Sequence, residues 1–179
     1  MTKKVILLRH AKSYWGESGR FLFKGNDHDR PLNERGKKAT KLMSQYFLDN
    51  NINVDFIFSS TAKRATETLH PFKNKLISNF GYEIYKKLYT FNYYDLLTFT
   101  KRIEDKYQNI MLISHNPSIQ NFCLEYVKNQ KSNQDFENLK QKFPTCAVAI
   151  LSSNAKNWSS IDKKGFELKK FIIPKSISD

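Results

Sequence analysis

Short apolar runs alternate with amphipathic segments along most of this chain. Residues 5–8, 54–59 and 109–114 are dominated by branched and aromatic side chains, which is typical of strands buried on both faces of a sheet. A similar run at residues 147–151 predicts another strand. Residues 83–88 predict a further strand, with a sheet edge as its expected position.

The segments between these runs predict helices. Asn33 is a suitable N-cap, and apolar residues recur at helical spacing within residues 39–47. A second helix is expected to begin at the hydroxyl residues 59–61. Pro71 is expected to kink or end that helix near His70, because proline cannot donate the internal hydrogen bond.

Further elements follow in the second half of the chain. Helices are predicted over residues 93–106, from an Asn-Pro start at residues 116–117 with Asn116 as N-cap, and over residues 135–140. Residues 158–161 and 166–173 predict a terminal antiparallel pair of strands.

This order of elements predicts the fold class. Strands and helices alternate through most of the chain, which favours an α/β fold with a mostly parallel central sheet and helices on both faces, in three α/β/α layers. We expect a single domain over residues 1–179, since this length can bury one full core.

The charge of the chain is strongly positive. The net charge is +13, from 30 Lys and Arg against 17 Asp and Glu, which favours anionic partners. The lysines are scattered, and no stretch interleaves basic and aromatic residues as in single-strand binders. A lysine-rich background composition is therefore favoured, and nucleic acid is not the expected partner.

Targeting and cysteine patterns exclude several classes of protein. No export signal and no run of about 20 apolar residues is visible, so we expect a cytoplasmic protein without a membrane partner. Cys123 and Cys146 have no metal-ligand spacing, and they are expected to be buried apolar side chains. The oligomeric state is not predictable from these patterns.

Polar residues follow three of the predicted strands. Arg9 and His10 come after the first strand, Arg64 lies in the helix turn after the second, and His115 follows the fourth. The carboxyl ends of parallel strands meet at one edge of a sheet, where ligands bind. Two arginines, two histidines and a helix N-terminus at that edge suit a phosphoryl dianion.

Four segments carry a family resemblance in the expected order. They are LRHAKS at residues 8–13, DHDRPLNERG at 27–36, SSTAKRATET at 59–68 and SHNPS at 114–118, with Pro-Thr at 144–145 in addition. On these segments the chain resembles the histidine phosphatase superfamily, and more closely its SixA-type phosphohistidine phosphatases. The resemblance implies a phosphoglycerate mutase-like fold.

The resemblance also implies phosphoryl transfer without a metal or other cofactor. By analogy, His10 is the nucleophile and becomes phosphorylated, while Arg9, Arg64 and His115 hold the phosphoryl oxygens. Water then hydrolyses the phosphohistidine. Additional phosphate contacts are expected from Lys12, Ser13 and Asn116, with a pure turn role as the alternative for the first two.

The sequence departs from the family at the usual acid. The Glu that many members carry corresponds here to Thr90. Asp27 and Asp29 are the candidate proton donors, with Asp95 and Glu83 less favoured. A phosphoimidazole needs little acid catalysis because imidazole, with a pKa of ~6.5, takes protons from solvent near neutral pH. The missing Glu therefore favours phosphohistidine as substrate.

Three functions are compatible with this sequence. The first is a phosphatase acting on phosphohistidine in a protein, which suits a chain without a large cap insertion after Arg64. The second is a phosphatase for a small phosphorylated metabolite. The third is a catalytically weak protein that binds phosphate or nucleic acid.

Three residues in or next to the loop at residues 14–30 have two possible roles each. Arg30 either braces the loop through a carboxylate or contacts substrate. Tyr14 and Trp15 either line the pocket mouth or pack on the core.

Overall fold

A six-stranded sheet forms the centre of the protein. The computed structural model describes residues 2–16, 23–76, 81–128, 130 and 133–177. The spatial order of the strands is β3-β2-β4-β1-β5-β6. The strands are β1 (Lys3–Arg9), β2 (Phe56–Ser60), β3 (Gly81–Tyr85), β4 (Asn109–Ser114), β5 (Val148–Ser153) and β6 (Glu167–Ile172).

The first four strands are parallel. β1 pairs with β4, β4 with β2, and β2 with β3, all in parallel register. β5 and β6 continue the sheet as antiparallel neighbours. The central strands are buried along nearly their whole length, as their apolar sequences require. The predicted edge position of β3 is confirmed, since it has one sheet neighbour and is largely exposed.

Helices cover both faces of the sheet. Met43, Phe47 and Phe72 pack with one core cluster, and Phe122 and Phe136 pack with the cluster on the other face. The predicted α/β class, with a mostly parallel sheet between two helical layers, is thereby confirmed. The helices are α1 (Glu34–Asp49), α2 (Lys63–Leu76), α3 (Tyr93–Thr100), α4 (Ser118–Tyr126) and α5 (Gln134–Gln141).

Pro71 was predicted to end or kink the second helix near His70. The helix does not end there, because α2 continues to Leu76. Leu69 and Phe72 flank the proline, and their side chains are 1% and 0% exposed. Burial of these two side chains compensates for the lost backbone hydrogen bond and the ring clash, which together cost about 3 kcal/mol.

Other predicted boundaries also change in the structure. The third helix ends at Thr100, and the chain turns so that the Asp105 carboxylate accepts from the backbone N–H of Trp158 at 2.8 Å. This contact places Trp158–Ser160 in a 3₁₀ helix, with the indole fully buried, instead of in a strand. β6 consequently pairs with β5 and not with residues 158–161.

The predicted N-cap of α1 is confirmed and anchors the loop after β1. The Asn33 side-chain oxygen accepts from the backbone N–H of Gly36 at 2.9 Å, and the backbone N–H of Asn33 donates to the Lys12 carbonyl at 3.0 Å. A Cβ atom on Gly36 would lie 2.2 Å from that carbonyl oxygen. Glycine at this position therefore lets the start of α1 approach the segment that follows β1.

Candidate active site

The ends of three parallel strands bring the predicted site residues together. Arg9 at the end of β1 is in register with Ser114 at the end of β4. His10 and His115 follow these two strands, and their ring centroids are 5.0 Å apart. Arg64, in the first turn of α2, lies against His115 with its Nη2 atom 3.3 Å from Nδ1. The four residues therefore lie close together at this edge of the sheet, as their positions after the strands predict.

His10 is held with one ring nitrogen available. The residue is 8% exposed, and its backbone N–H donates to the Ser114 carbonyl at 3.0 Å. Its Nδ1–H donates to the Ala11 carbonyl at 2.8 Å, which leaves the Nε2 lone pair free. Burial is the first cause that holds the pKa of His10 well below its ordinary value, followed by the neighbouring His115 ring and the charges of Arg64 and Arg9.

His115 is fully buried and has both ring nitrogens engaged. Nδ1 accepts from Arg64, and Nε2–H donates to the Ser60 hydroxyl oxygen at 2.8 Å. Burial and the nearby Arg64 guanidinium lower the pKa of His115 to about 3. Both imidazoles are therefore neutral around pH 7, and His10 needs no deprotonation before its nitrogen can attack phosphorus.

The two arginines are oriented by backbone and carboxylate contacts. Arg9 donates from Nη1 to the Phe143 carbonyl at 2.7 Å. Arg64 donates from Nη1 to the Asp27 carbonyl at 2.6 Å and from Nη2 to the Asp27 carboxylate at 2.9 Å. The Nε–H groups of both arginines are buried without a partner in the described part of the chain. The site therefore retains guanidinium donors that an oxyanion could engage after small side-chain shifts.

Asp27 is the carboxylate that faces this cluster. Its Oδ1 accepts from Arg30 Nε at 3.1 Å and Nη2 at 2.8 Å, and its Oδ2 accepts from the Tyr89 hydroxyl at 2.9 Å. Burial alone would raise the pKa of Asp27, but hydrogen bonds from Arg30 and Tyr89 and the charge of Arg64 lower the pKa to about 2. Asp27 is therefore an acceptor, not a donor, in the ligand-free site at neutral pH. Arg30 braces the loop through this carboxylate, which is one of the two roles predicted for it.

The other candidate proton donors lie elsewhere. Asp29 is 69% exposed at its side chain and pairs with His28 at 3.4 Å, outside the cleft that Asp27 lines. Asp95 accepts from Thr90 at 2.5 Å, and Glu83 accepts from a neighbouring tyrosine hydroxyl. Neither of these last two lines the cleft in the described part of the chain.

The cluster opens into a cleft of about 710 Å³. Trp15 lies at its mouth, 38% exposed, with the Arg30 guanidinium 3.6 Å from its ring centroid. Tyr14 does not line this cleft. The described lining residues are Arg9, His10, Lys12, Ser13, Trp15, Asp27, Arg30, Arg64, Tyr89, Phe91, Asn116, Lys142, Pro144 and Thr145.

Three lining residues were not predicted from the sequence. Tyr89 and Phe91 belong to the segment after β3, on either side of the Thr90 that replaces the usual Glu, and Lys142 follows α5. The aromatic residues beside Thr90 were the available signal for the first two. No local pattern marks Lys142, because its position depends on how α5 packs.

Asn116 lines the cleft, but its predicted role as N-cap is wrong. Pro117 occupies the N-cap position of α4, and no side chain caps that end. The Asn116 amide instead donates to Gln120 at 3.1 Å, which directs its side chain along the helix. Cys123 and Cys146 are buried as predicted, and the Cys146 N–H donates to the Arg9 carbonyl at 3.1 Å.

The low pKa values of the buried imidazoles predict a pH-dependent stability. In the unfolded chain each histidine binds a proton with a pKa of ~6.5, whereas folded His10 and His115 stay neutral. The unfolded state therefore takes up more protons, and the free energy of unfolding falls as pH drops below ~6.5, by about 1.4 kcal/mol per pH unit for each imidazole. For His115 this continues to its folded pKa of about 3.

Urea unfolding between pH 7 and 5 measures this slope. His115→Asn should make it shallower by the contribution of one imidazole. His70→Asn is the matched control, since His70 is exposed on α2. An unchanged slope in His115→Asn would show that this ring binds its proton equally well in the folded and unfolded states.

Comparison with known proteins identifies the family. The family model "Histidine phosphatase superfamily (branch 1)" matches residues 5–90, which include Arg9, His10 and Arg64. This match covers just under half of the chain and includes three of the four residues predicted for the site. The match and the geometry of the site support a phosphatase of the hydrolase class, and its substrate is the remaining question.

Individual relatives support the same assignment. An uncharacterised protein of Mycobacterium leprae is 28% identical over 172 residues, which cover 94% of this chain and all of that protein. The structure of a protein from Nakamurella multipartitia, provisionally named phosphohistidine phosphatase SixA, has a TM-score of 0.80 at 23% identity, with 97% of both chains covered. The protein histidine phosphatase SixA in complex with tungstate has a TM-score of 0.75 at 17% identity, covering 98% of this chain and 99% of that one. The protein described here has the same fold as these two structures.

The described residues contain no candidate metal site and no candidate membrane span. Among the described residues, no group of three or more histidine, cysteine or carboxylate side chains could hold a metal ion. No described helix is both long and apolar enough to cross a membrane.

Proposed function

We propose that this protein hydrolyses phosphohistidine on a protein substrate through a covalent phospho-His10 intermediate. The observation that carries the proposal is the neutral, buried His10, whose Nδ1–H is tied to Ala11 so that Nε2 is the free nitrogen beside Arg9 and Arg64. A nitrogen nucleophile between two guanidinium groups suits attack on a phosphoryl dianion.

The reaction proceeds in two displacements. His10 Nε2 forms a bond to phosphorus while the bond from phosphorus to the substrate nitrogen breaks, and that nitrogen keeps the electron pair and is protonated. Arg9 and Arg64 offset the charge on the phosphoryl oxygens, and the buried His115 accepts from Arg64 and so orients its guanidinium group. A water oxygen then attacks phosphorus, the bond to Nε2 breaks, and phosphate leaves with His10 neutral again.

Asp27 acts in the second displacement in this scheme. It is ionised in the free site, with a pKa of about 2, so it does not supply the leaving-group proton there. A carboxylate beside the phosphoryl group can instead accept the proton of the attacking water, and the approach of a dianion raises its pKa toward the useful range. Asp29, exposed and outside the cleft, has no comparable position.

The same geometry supports the choice of phosphohistidine as the substrate. An alkoxide needs a proton from the enzyme, whereas a phosphoimidazole is protonated from solvent near its pKa of ~6.5. Asp27 is the carboxylate in the described cleft lining, and it lacks a proton to give. This combination favours phosphohistidine over a phosphate monoester of a small metabolite. The fold shared with protein histidine phosphatases is consistent with this choice.

A substrate comparison tests the proposal. The purified protein should hydrolyse a phosphohistidine-bearing carrier protein with a kcat/KM on the order of 100-fold or more above that for sugar phosphates, because the missing acid penalises alkoxide leaving groups. Phosphate release in the presence of a chelator is the measurement. Turnover of metabolites alone would favour the second function. Tight, salt-sensitive DNA binding without any hydrolysis would favour the third.

A further inference from the structure

A second group of positive charges borders the cleft on its solvent side. Lys12 follows β1 beyond His10, and Lys142 lies directly after the C-terminal end of α5. Both side chains are exposed and both line the cleft. Neither ammonium group has a hydrogen-bond or ion-pair partner within the described residues. These two lysines are called the lysine rim below.

The cleft carries more positive charge than one phosphoryl group can balance. Five cationic side chains line it against one carboxylate, an excess of four charges in the described lining. A phosphoryl group removes about two of these charges. Since a low-dielectric cleft concentrates the remaining field, further negative charge on the substrate beside the phosphoryl group is attracted.

The arginines of the cleft are already engaged, whereas the lysine rim is not. Arg30 and Arg64 donate to the Asp27 carboxylate at 2.8 and 2.9 Å, and Arg9 donates to a backbone carbonyl. Three arginines against Asp27 leave two positive charges, which a phosphoryl dianion balances. The two charges that remain belong to Lys12 and Lys142, which lie outside the ring of contacts around Asp27.

We propose that the lysine rim selects protein partners whose phosphohistidine is flanked by carboxylate side chains. The inference rests on the proposed function, since it assumes that the substrate is protein-borne. Nucleic acid fits the rim less well, because the Trp15 ring at the cleft mouth is already stacked on Arg30 at 3.6 Å and does not offer that face to a base. Carboxylates need only the exposed ammonium groups, which are the available donors.

Two synthetic peptides provide the test. Each contains one phosphohistidine, flanked in one peptide by four glutamates and in the other by four glutamines. We expect the natural enzyme to hydrolyse the glutamate peptide with a kcat/KM on the order of tenfold higher at low salt, and we expect roughly 1 M NaCl to remove the difference. The preference should disappear in K12E/K142E and be reduced in K12Q/K142Q.

A matched variant controls for the change in net charge. Lys106 precedes β4 and Lys156 follows the antiparallel strand β5, so both exposed side chains lie at the sheet edge opposite the cleft. K106E/K156E should retain the peptide preference. If K12E/K142E also retains it, the lysine rim does not select the substrate.

The outcome with the natural enzyme separates this inference from the proposed function. Equal hydrolysis of both peptides overturns the inference and leaves phosphohistidine phosphatase activity intact. Hydrolysis of sugar phosphates but of neither peptide overturns both. Inhibition by a single-stranded DNA oligonucleotide but not by an unphosphorylated glutamate peptide would assign the rim to nucleic acid.

Discussion

Replacement of His10 by alanine is expected to lower kcat by about 10⁴-fold or more and to abolish the phosphorylated enzyme. The expectation follows from the hydrogen bond between Nδ1–H and Ala11, which leaves Nε2 as the free nucleophile in a buried site. Arg9 and Arg64 would still bind the phosphoryl group in this variant, so substrate affinity should fall much less than kcat. The effect is large because no other described nitrogen with a free lone pair lines the cleft.

The measurement combines turnover with trapping of the intermediate. Acid-labile, base-stable phosphate on the denatured protein reports the phospho-His10 species, and ³¹P NMR distinguishes the ring nitrogen that carries it. His70→Ala is the matched control because His70 is an exposed histidine on α2. Undiminished p-nitrophenyl phosphate turnover by His10→Ala would show that catalysis does not pass through this residue.

Replacement of Arg64 by lysine is expected to lower kcat by about 10²- to 10³-fold, although the charge is retained. The Arg64 guanidinium reaches both the Asp27 carboxylate and His115 from one planar group. A lysine ammonium cannot hold two phosphoryl oxygens in the same bidentate way. The loss should appear mainly in kcat, since the contact strengthens as charge develops in the transition state.

Arg30→Lys is the control for this result. Arg30 also binds Asp27, through Nε and Nη2, but it has no described contact with His115. If Arg64 acted only by positioning Asp27, both variants would lose similar activity. A loss confined to Arg64→Lys, with thermal unfolding close to that of the natural protein, supports direct contact with the phosphoryl group. Equal losses would assign Arg64 a positioning role.

Much of the fold could be predicted from local patterns. The apolar run before Arg9 predicts a buried strand, and β1 is indeed buried between β4 and β5. Asn33 as an N-cap was correct because its hydrogen bond to Gly36 is made within one helical turn. The continuation of α2 past Pro71 is not predictable from local sequence, because the compensating burial of Leu69 and Phe72 depends on distant elements.

The candidate site also combines features that the local sequence predicts with features that only the folded structure decides. Asp27 and Asp29 lie in one short segment with similar neighbours, and their sequence does not distinguish them. The 3₁₀ turn Asp27–Asp29, capped by Asn26, directs Asp27 toward Arg64 and leaves Asp29 in solvent. The low pKa of Asp27 likewise depends on Arg30, Tyr89 and Arg64, which are brought together only in the folded protein.

The sequence by itself determined the α/β class, the elements around the sheet edge and the four residues Arg9, His10, Arg64 and His115 at that edge. These features are readable because strand and helix periodicity and the residues at strand ends are local properties of the chain. The tertiary structure decided the neutral state of His10, the choice of Asp27 over Asp29 and the position of Lys142 at the cleft. Burial, charge and side-chain convergence depend on strand order and helix packing, and these are set by contacts between residues far apart in the chain.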